Sequence, residues 1–207
     1  MIFVIKAFIS LLIVVNPLDA VSGYFALTAQ RPVEDRLRIA RTAAIAMTVA
    51  LLAAVWLGEL LLNLFNISLG AFQVGGGLVI LLMAVSMLHA RTSALAQTAA
   101  EADEAAGRED IAIVPLAIPL MAGPAAISMV VVIANQAGGI GGRMVLSMVV
   151  AGVGFAIWWI LKKAQSIDDY FGVTGINIMQ RVAGLILAAI GVQIIANGLI
   201  ALFPGLG

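Results

Sequence analysis

The chain has 207 residues, 63% of them hydrophobic and only 11% charged, with a formal net charge of zero and no cysteine. A soluble domain carries about a quarter charged residues, so this is a membrane-embedded composition that leaves no room for a separate soluble domain. Disulfides and thiolate metal sites are excluded, the lone His89 cannot form an imidazole cluster, and the balanced charge gives no footprint for nucleic acid.

Apolar runs of the roughly 20 residues that cross a bilayer place six helices at 2–29, 40–62, 70–90, 111–134, 144–163 and 179–203. Nothing alternates with period two over a strand's length, which argues against a barrel. The first segment reads as retained rather than cleaved. Its only early cation is Lys6, no small-x-small site follows, and Asn16-Pro17 interrupts its core. Asn16 is a good N-cap and Pro17 a good first helical residue, while the residue before a proline resists the α conformation. The segment therefore reads as a half-helix ending near Val15 and a second beginning at Pro17.

Asp19 falls in the first turn of that second half-helix, near the membrane middle, where a charge costs about 2.5–3.5 kcal/mol. Two compatible roles stay open for it: proton or cation coupling, or a carboxylate that reaches back to the cap's N–H and offsets the helix dipole. Leu18 and Ser22 share the half-helix. Ser22 offers a hydroxyl, although serines in membrane helices commonly bond their own backbone.

The loop that follows holds Arg31, Arg36, Arg38 and Arg41, and the second segment ends beside Glu59, read as interfacial. The third carries Gln73 and Gly75-Gly76-Gly77, which suit close helix packing. Residues 91–110, with Glu101, Asp103, Glu104, Glu109 and Asp110, form an acidic linker. The fourth segment adds Pro115 and Pro119 and then a second break at Gly123-Pro124, followed by Ala125 and Ser128. The sixth has Ala183-Gly184 for packing, with Gln193 and Asn197 expected to bond between helices.

Pro17 and Pro124 are 107 residues apart, as are Gln73 and Gln180, and Gly77 and Gly184. Phe65-Asn66-Ile67-Ser68 answers Phe171-Gly172-Val173-Thr174 at 106. The expected architecture is all-α, with a first repeat over 1–90, the linker 91–110, and a second repeat over 111–207. Lys and Arg divide nine against two between alternate sides, so the first, third and fifth loops are expected in the cytoplasm and both termini outside. Three spans per repeat then insert the second copy upside down, and paired breaks in such inverted repeats point to a transport site. Asn16, Pro17, Leu18, Asp19, Ser22, Gly123, Pro124, Ala125 and Ser128 are its candidate residues. The free N–H groups of each half-helix suit a carboxylate, and the carbonyls left unpaired at the break suit an ammonium or a cation. Ordinary proline kinks that only shape the bundle are the alternative, which the repeated, capped placement disfavours.

Asn16-Pro17-Leu18 with Phe25-Ala26-Leu27-Thr28, Phe65-Asn66-Ile67-Ser68 leading to Gly75-Gly76-Gly77, the run from Ile113 to Pro124 and Arg181-Val182-Ala183-Gly184-Leu185-Ile186-Leu187 resemble the MarC-related family of six-span inner-membrane proteins along essentially the whole chain. The resemblance implies a bacterial or archaeal inner-membrane protein and, for part of the family, neutral amino-acid transport. One departure is Asp19, where that family often has glycine. An acid there can itself occupy the anion position.

The leading expectation is a secondary transporter of a small polar solute, with Asp19 as coupling residue, in contact with the lipid bilayer. A passive channel and a non-transporting scaffold are the alternatives, and homo-oligomerisation is left open. No nucleophile–base pair marks an enzyme, and no cofactor or metal is expected.

Overall fold

The structure is a computed structural model that describes residues 2–28, 31–89 and 112–206. The acidic linker at 91–110 lies outside the described residues. Those residues form helices and turns: α1 (Ile2–Val15), α2 (Pro17–Thr28), α3 (Val33–Leu64), α4 (Leu69–Leu88), an irregular α5 (Ala112–Met121), α6 (Pro124–Ala137), α7 (Gly139–Lys162) and α8 (Ala164–Leu202), with a final turn at Pro204–Leu206. Five stretches are long and apolar enough to cross a bilayer: Ile2–Phe25, Val33–Leu64, Leu69–Leu88, Gly139–Lys162 and Thr174–Leu202. Pro124–Ala137 is a shorter apolar helix.

The expected fourth span, 111–134, is not one helix with a single break. Val114 (φ −126°, ψ 120°) and Ile118 (φ −133°, ψ 121°) are extended, and so is Gly123 (φ −74°, ψ 175°). Each directly precedes a proline, whose Cδ pushes its neighbour out of the α region. The second span also differs from expectation. Its helix begins at Val33 rather than near 40, with Glu34 and Asp35 in the first turn at the positive end of the dipole. Arg36, Arg38 and Arg41 are therefore helical residues, not loop residues. An apolar window detects only the part of a helix that lies in hydrocarbon.

Two turns at matching places lead into the two longest-packed helices. Asn66 has a positive φ of 54° and Gly172 one of 59°, and the two lie 106 residues apart. At Gly172 ψ is 177°, a combination open only to glycine, whereas asparagine tolerates a positive φ at modest cost. After Asn66, Ser68 caps α4 by accepting the Ala71 N–H at 3.2 Å.

α4 and α8 make the main helix pair. A Cβ built at Gly77 would stand 2.9 Å from the Gly191 carbonyl oxygen, one at Gly198 2.7 Å from that of Gly70, and one at Gly184 3.0 Å from that of Ala84. Each step of seven forward on α4 is thus a step of seven back on α8, so the pair is antiparallel. Small residues along this seam bring the backbones together, the favoured way to pack helices when lipid removes the hydrophobic drive. Gly75 takes no part, having nothing within 4 Å of a built Cβ. Ala183 is partly buried against the core.

α3 and α7 form a second antiparallel pair. Thr48 abuts Gly154, Trp56 Nε1 donates to Ser147 Oγ at 3.2 Å, and Glu59 pairs with Arg143. Phe8 of α1 lies 3.6 Å from a Cβ built at Gly152 of α7. Leu11, Met47, Leu51, Ile80, Leu116, Leu146, Ile157 and Leu187 are fully buried between these elements. Much of the outer surface, including Leu64, Met148, Phe155 and Leu185, is exposed and apolar, as a lipid-facing surface must be.

Candidate functional site

The first break is one residue long. Asn16 takes the left-handed conformation at φ 53°. Its N–H donates to the Ile13 carbonyl at 3.1 Å, closing α1, while its own carbonyl accepts the Ala20 N–H at 3.1 Å, opening α2. Pro17 has no N–H to leave unpaired. Because the Asn16 N–H is already spent, Asp19 does not reach back to it as the capping-box expectation required. Instead the Asn16 side-chain amide donates to Asp19 Oδ2 at 2.5 Å, and the Asp19 N–H points to Asn16 Oδ1 at 3.4 Å.

The carboxylate's other oxygen is taken from across the molecule. Gln180 Nε2 of α8 donates to Asp19 Oδ1 at 2.5 Å. Asn16, Asp19 and Gln180 are all buried. Gln180 is the residue missing from the sequence-derived site. Its signal was present in the repeat, where it matches Gln73 as an amide inside an apolar helix. Ser22 stands apart from this cluster. It is exposed and returns its hydroxyl to the Leu18 carbonyl at 3.1 Å.

The second break is built differently. Gly123 precedes α6 without a side-chain cap, Pro124 takes the first helical position, and the Ile127 N–H donates to the Gly123 carbonyl at 3.1 Å. Ala125, Ala126 and Ser128 are buried. Ala126 is the residue 107 positions after Asp19, so the second break has no acid of its own. α4 packs on the early turns of α6, where a Cβ at Gly76 would stand 2.7 Å from Ser128 Cβ and 3.0 Å from its Oγ. Gln73, one turn earlier on the buried side of α4, is 6% exposed and Ser128 8%. Neither side chain has a hydrogen-bond partner among the described residues.

A cavity of about 480 Å³ touches the first break between α1, α2, α7 and α8. Its walls at Leu12, Val21, Ile160, Met179 and Val182 are apolar, and no residue of the second break lines it. This cavity is apolar and touches only the first of the two breaks. Gln193 and Asn197, expected to bond between helices, bond to each other at 2.9 Å along α8, since residues four apart share a helix face. Glu59 is more than interfacial, being paired with Arg143.

The fold and these buried polar breaks define an integral, multi-pass, all-helical membrane protein. Over residues 1–203 the sequence matches the model of the MarC family integral membrane proteins, and the chain belongs to that family. It is 33% identical to the UPF0056 membrane protein YhcE of Escherichia coli over 97% of this chain and 94% of that one. A UPF0056 membrane protein of Methanocaldococcus jannaschii is 36% identical over 95% and 96% of the two chains, and YvbG of Bacillus subtilis 34% over 98% and 96%. The family is thus present in bacteria and archaea. No solved structure matches the chain.

Proposed function

We propose that the chain is an inner-membrane secondary transporter of a small polar solute, a neutral amino acid first among candidates, built from two inverted repeats. The α4–α8 seam supports the repeat. Gly77 faces Gly191 and Ala84 faces Gly184; moving each residue by the 107-residue repeat spacing converts one contact into the other. A two-fold axis in the membrane plane leaves this pattern between its copies.

The observation that carries the function is the difference between the two breaks. In the first repeat the protein supplies its own anion, Asp19, held by Asn16 and Gln180. In the second, Ala126 replaces the acid, while Gln73 on α4 and Ser128 on α6 are buried and α6 begins without a side-chain cap. We assign the solute carboxylate to this half of the site, with the Gln73 amide, the Ser128 hydroxyl and the early N–H groups of α6 as its candidate donors. Asp19 serves as the coupling carboxylate and as counter-charge to the solute's ammonium. Rocking of one repeat against the other then exposes the site alternately to the two sides.

The test is uptake of labelled glycine, alanine and larger neutral amino acids by proteoliposomes holding the purified chain, with and without a pH gradient. Saturable uptake is expected, faster with the gradient and lost in Gln73→Leu. Flux that never saturates would mean a channel, and no uptake of any solute by correctly inserted protein would refute transport.

A further inference from the structure

The furrow between α3 and α7 is left unused by the proposed transport site, and three cavities follow one another along it. The first, about 500 Å³, is walled by Arg38, Arg41, Trp158 and Lys162. It shares Arg41, Ile45 and Trp158 with a second of about 380 Å³, which continues past Thr48 and Phe155. That one shares Val49 and Ala151 with a third of about 780 Å³, which ends near Trp56 and Met148. One continuous groove results, cationic at one end and apolar beyond it.

The charge along the groove is one-sided. Arg38, Arg41 and Lys162 have no ion-pair partner among the described residues, and Lys162 Nζ sits 5.4 Å from the centroid of the Trp158 ring. At the far end of the same two helices, Arg143 is already paired with Glu59. The cationic end is also the one that the Lys/Arg bias assigns to the cytoplasm, where the leaflet carries anionic lipid. Between Arg41 and Leu52, α3 rises roughly 16 Å, about half of the ~30 Å hydrocarbon thickness. That is the depth of one acyl chain in one leaflet.

We propose that this furrow binds one anionic phospholipid, its phosphate on Arg38, Arg41 and Lys162 and one acyl chain along Ile45, Val49 and Phe155. Guanidinium groups suit phosphate because their planar N–H forks match its oxygens. Free phosphate would satisfy the cations but not the apolar groove. A second copy of the chain would cover the apolar groove but leave the cations unsatisfied. Both copies insert the same way round, so a symmetric contact here sets the two cationic ends against each other at the same depth.

Native mass spectrometry of the purified full chain, with phosphatidylglycerol, phosphatidylcholine or inorganic phosphate added, tests this. One tightly held phosphatidylglycerol is expected, with phosphatidylcholine much weaker. The triple variant Arg38→Gln, Arg41→Gln, Lys162→Gln should weaken phosphatidylglycerol on the order of a hundredfold and leave phosphatidylcholine unchanged. Ala151→Phe, which narrows the apolar groove and keeps all three cations, should also weaken the anionic lipid. Equal binding of the two lipids, retention by the triple variant, indifference to Ala151→Phe, or full displacement by millimolar phosphate would each overturn the proposal. So would a dimer whose dissociation uncovers the furrow. The variants lie at exposed positions, and an unchanged elution volume and helical circular dichroism confirm that they fold.

Discussion

Gln180 on the last helix donates to Asp19 just past the first break, a hydrogen bond spanning 161 positions of sequence. With Asn16 on the other oxygen, the carboxylate faces two amide donors in a place where an unpartnered acid would be costly. The contact ties the second half of the first span to α8, so it joins the two halves of the chain as well as satisfying an acid.

Asp19→Asn leaves one oxygen for two donors, and one amide loses its acceptor. A stability loss of about 1–3 kcal/mol is expected, read as a lower melting temperature in detergent. Gln180→Leu removes one donor and keeps the acid, with a loss of similar size. The two separate the roles: if Asp19 carries the coupling proton, Asp19→Asn transports without dependence on a pH gradient and Gln180→Leu keeps that dependence. If both variants keep it, Asp19 is a capping carboxylate only.

The sequence made the break at Asn16-Pro17 legible because proline and asparagine act locally. It also paired Phe65–Ser68 with Phe171–Thr174, and Asn66 and Gly172 both have a positive φ. The Asp19–Gln180 contact was not legible, because it depends on how α8 is rotated against α2, and no local preference sets that. Val114 and Ile118 were legible in principle as residues before prolines, but the apolar run through them reads as one helix. The start of α3 was missed for a related reason. Hydropathy marks where a bilayer ends, while the helix runs on through Arg36, Arg38 and Arg41 for as long as its hydrogen bonds continue.

The glycines differ in what they do. A Cβ at Gly77 would lie 2.7 Å from Ile195 Cγ1 and 2.9 Å from the Gly191 carbonyl oxygen. Gly77→Val should therefore cost about 1–3 kcal/mol by forcing α4 and α8 apart. Gly75→Ala, two residues away, meets nothing within 4 Å and should stay within about 0.5 kcal/mol of the parent. Thermal unfolding of both variants in one detergent checks the contrast. Equal losses would mean that the seam does not run through Gly77.

Glu59 near the end of α3 pairs with Arg143 near the start of α7, and their side chains are 46% and 22% exposed. A pair this open to solvent contributes at most about 1 kcal/mol, so Glu59→Gln should change melting only slightly. Glu59→Arg places two cations together and should cost more. Adding Arg143→Glu should restore most of that loss if the two side chains meet in the membrane as they do here. A double variant no better than Glu59→Arg alone would separate the two helices at this level.

Topology can be read directly, because a chain without cysteine needs no background removed before single cysteines are introduced. Val33 at the start of α3 and Phe203 after α8 are 69% and 58% exposed, so Val33→Cys and Phe203→Cys should fold and react. The nine-to-two division of Lys and Arg puts residue 33 in the cytoplasm and residue 203 outside. A membrane-impermeant maleimide added to intact cells should then label Phe203→Cys at once and Val33→Cys only after the membrane is opened. The same orientation puts Glu59 and Arg143 outside, and it puts Arg38, Arg41 and Lys162 in the cytoplasm, the leaflet required for an anionic lipid. Labelling of Val33→Cys in intact cells would reverse the orientation. Labelling of both positions from outside would place an even number of crossings between them instead of the expected five, and would break the three-plus-three division on which the inverted repeat rests.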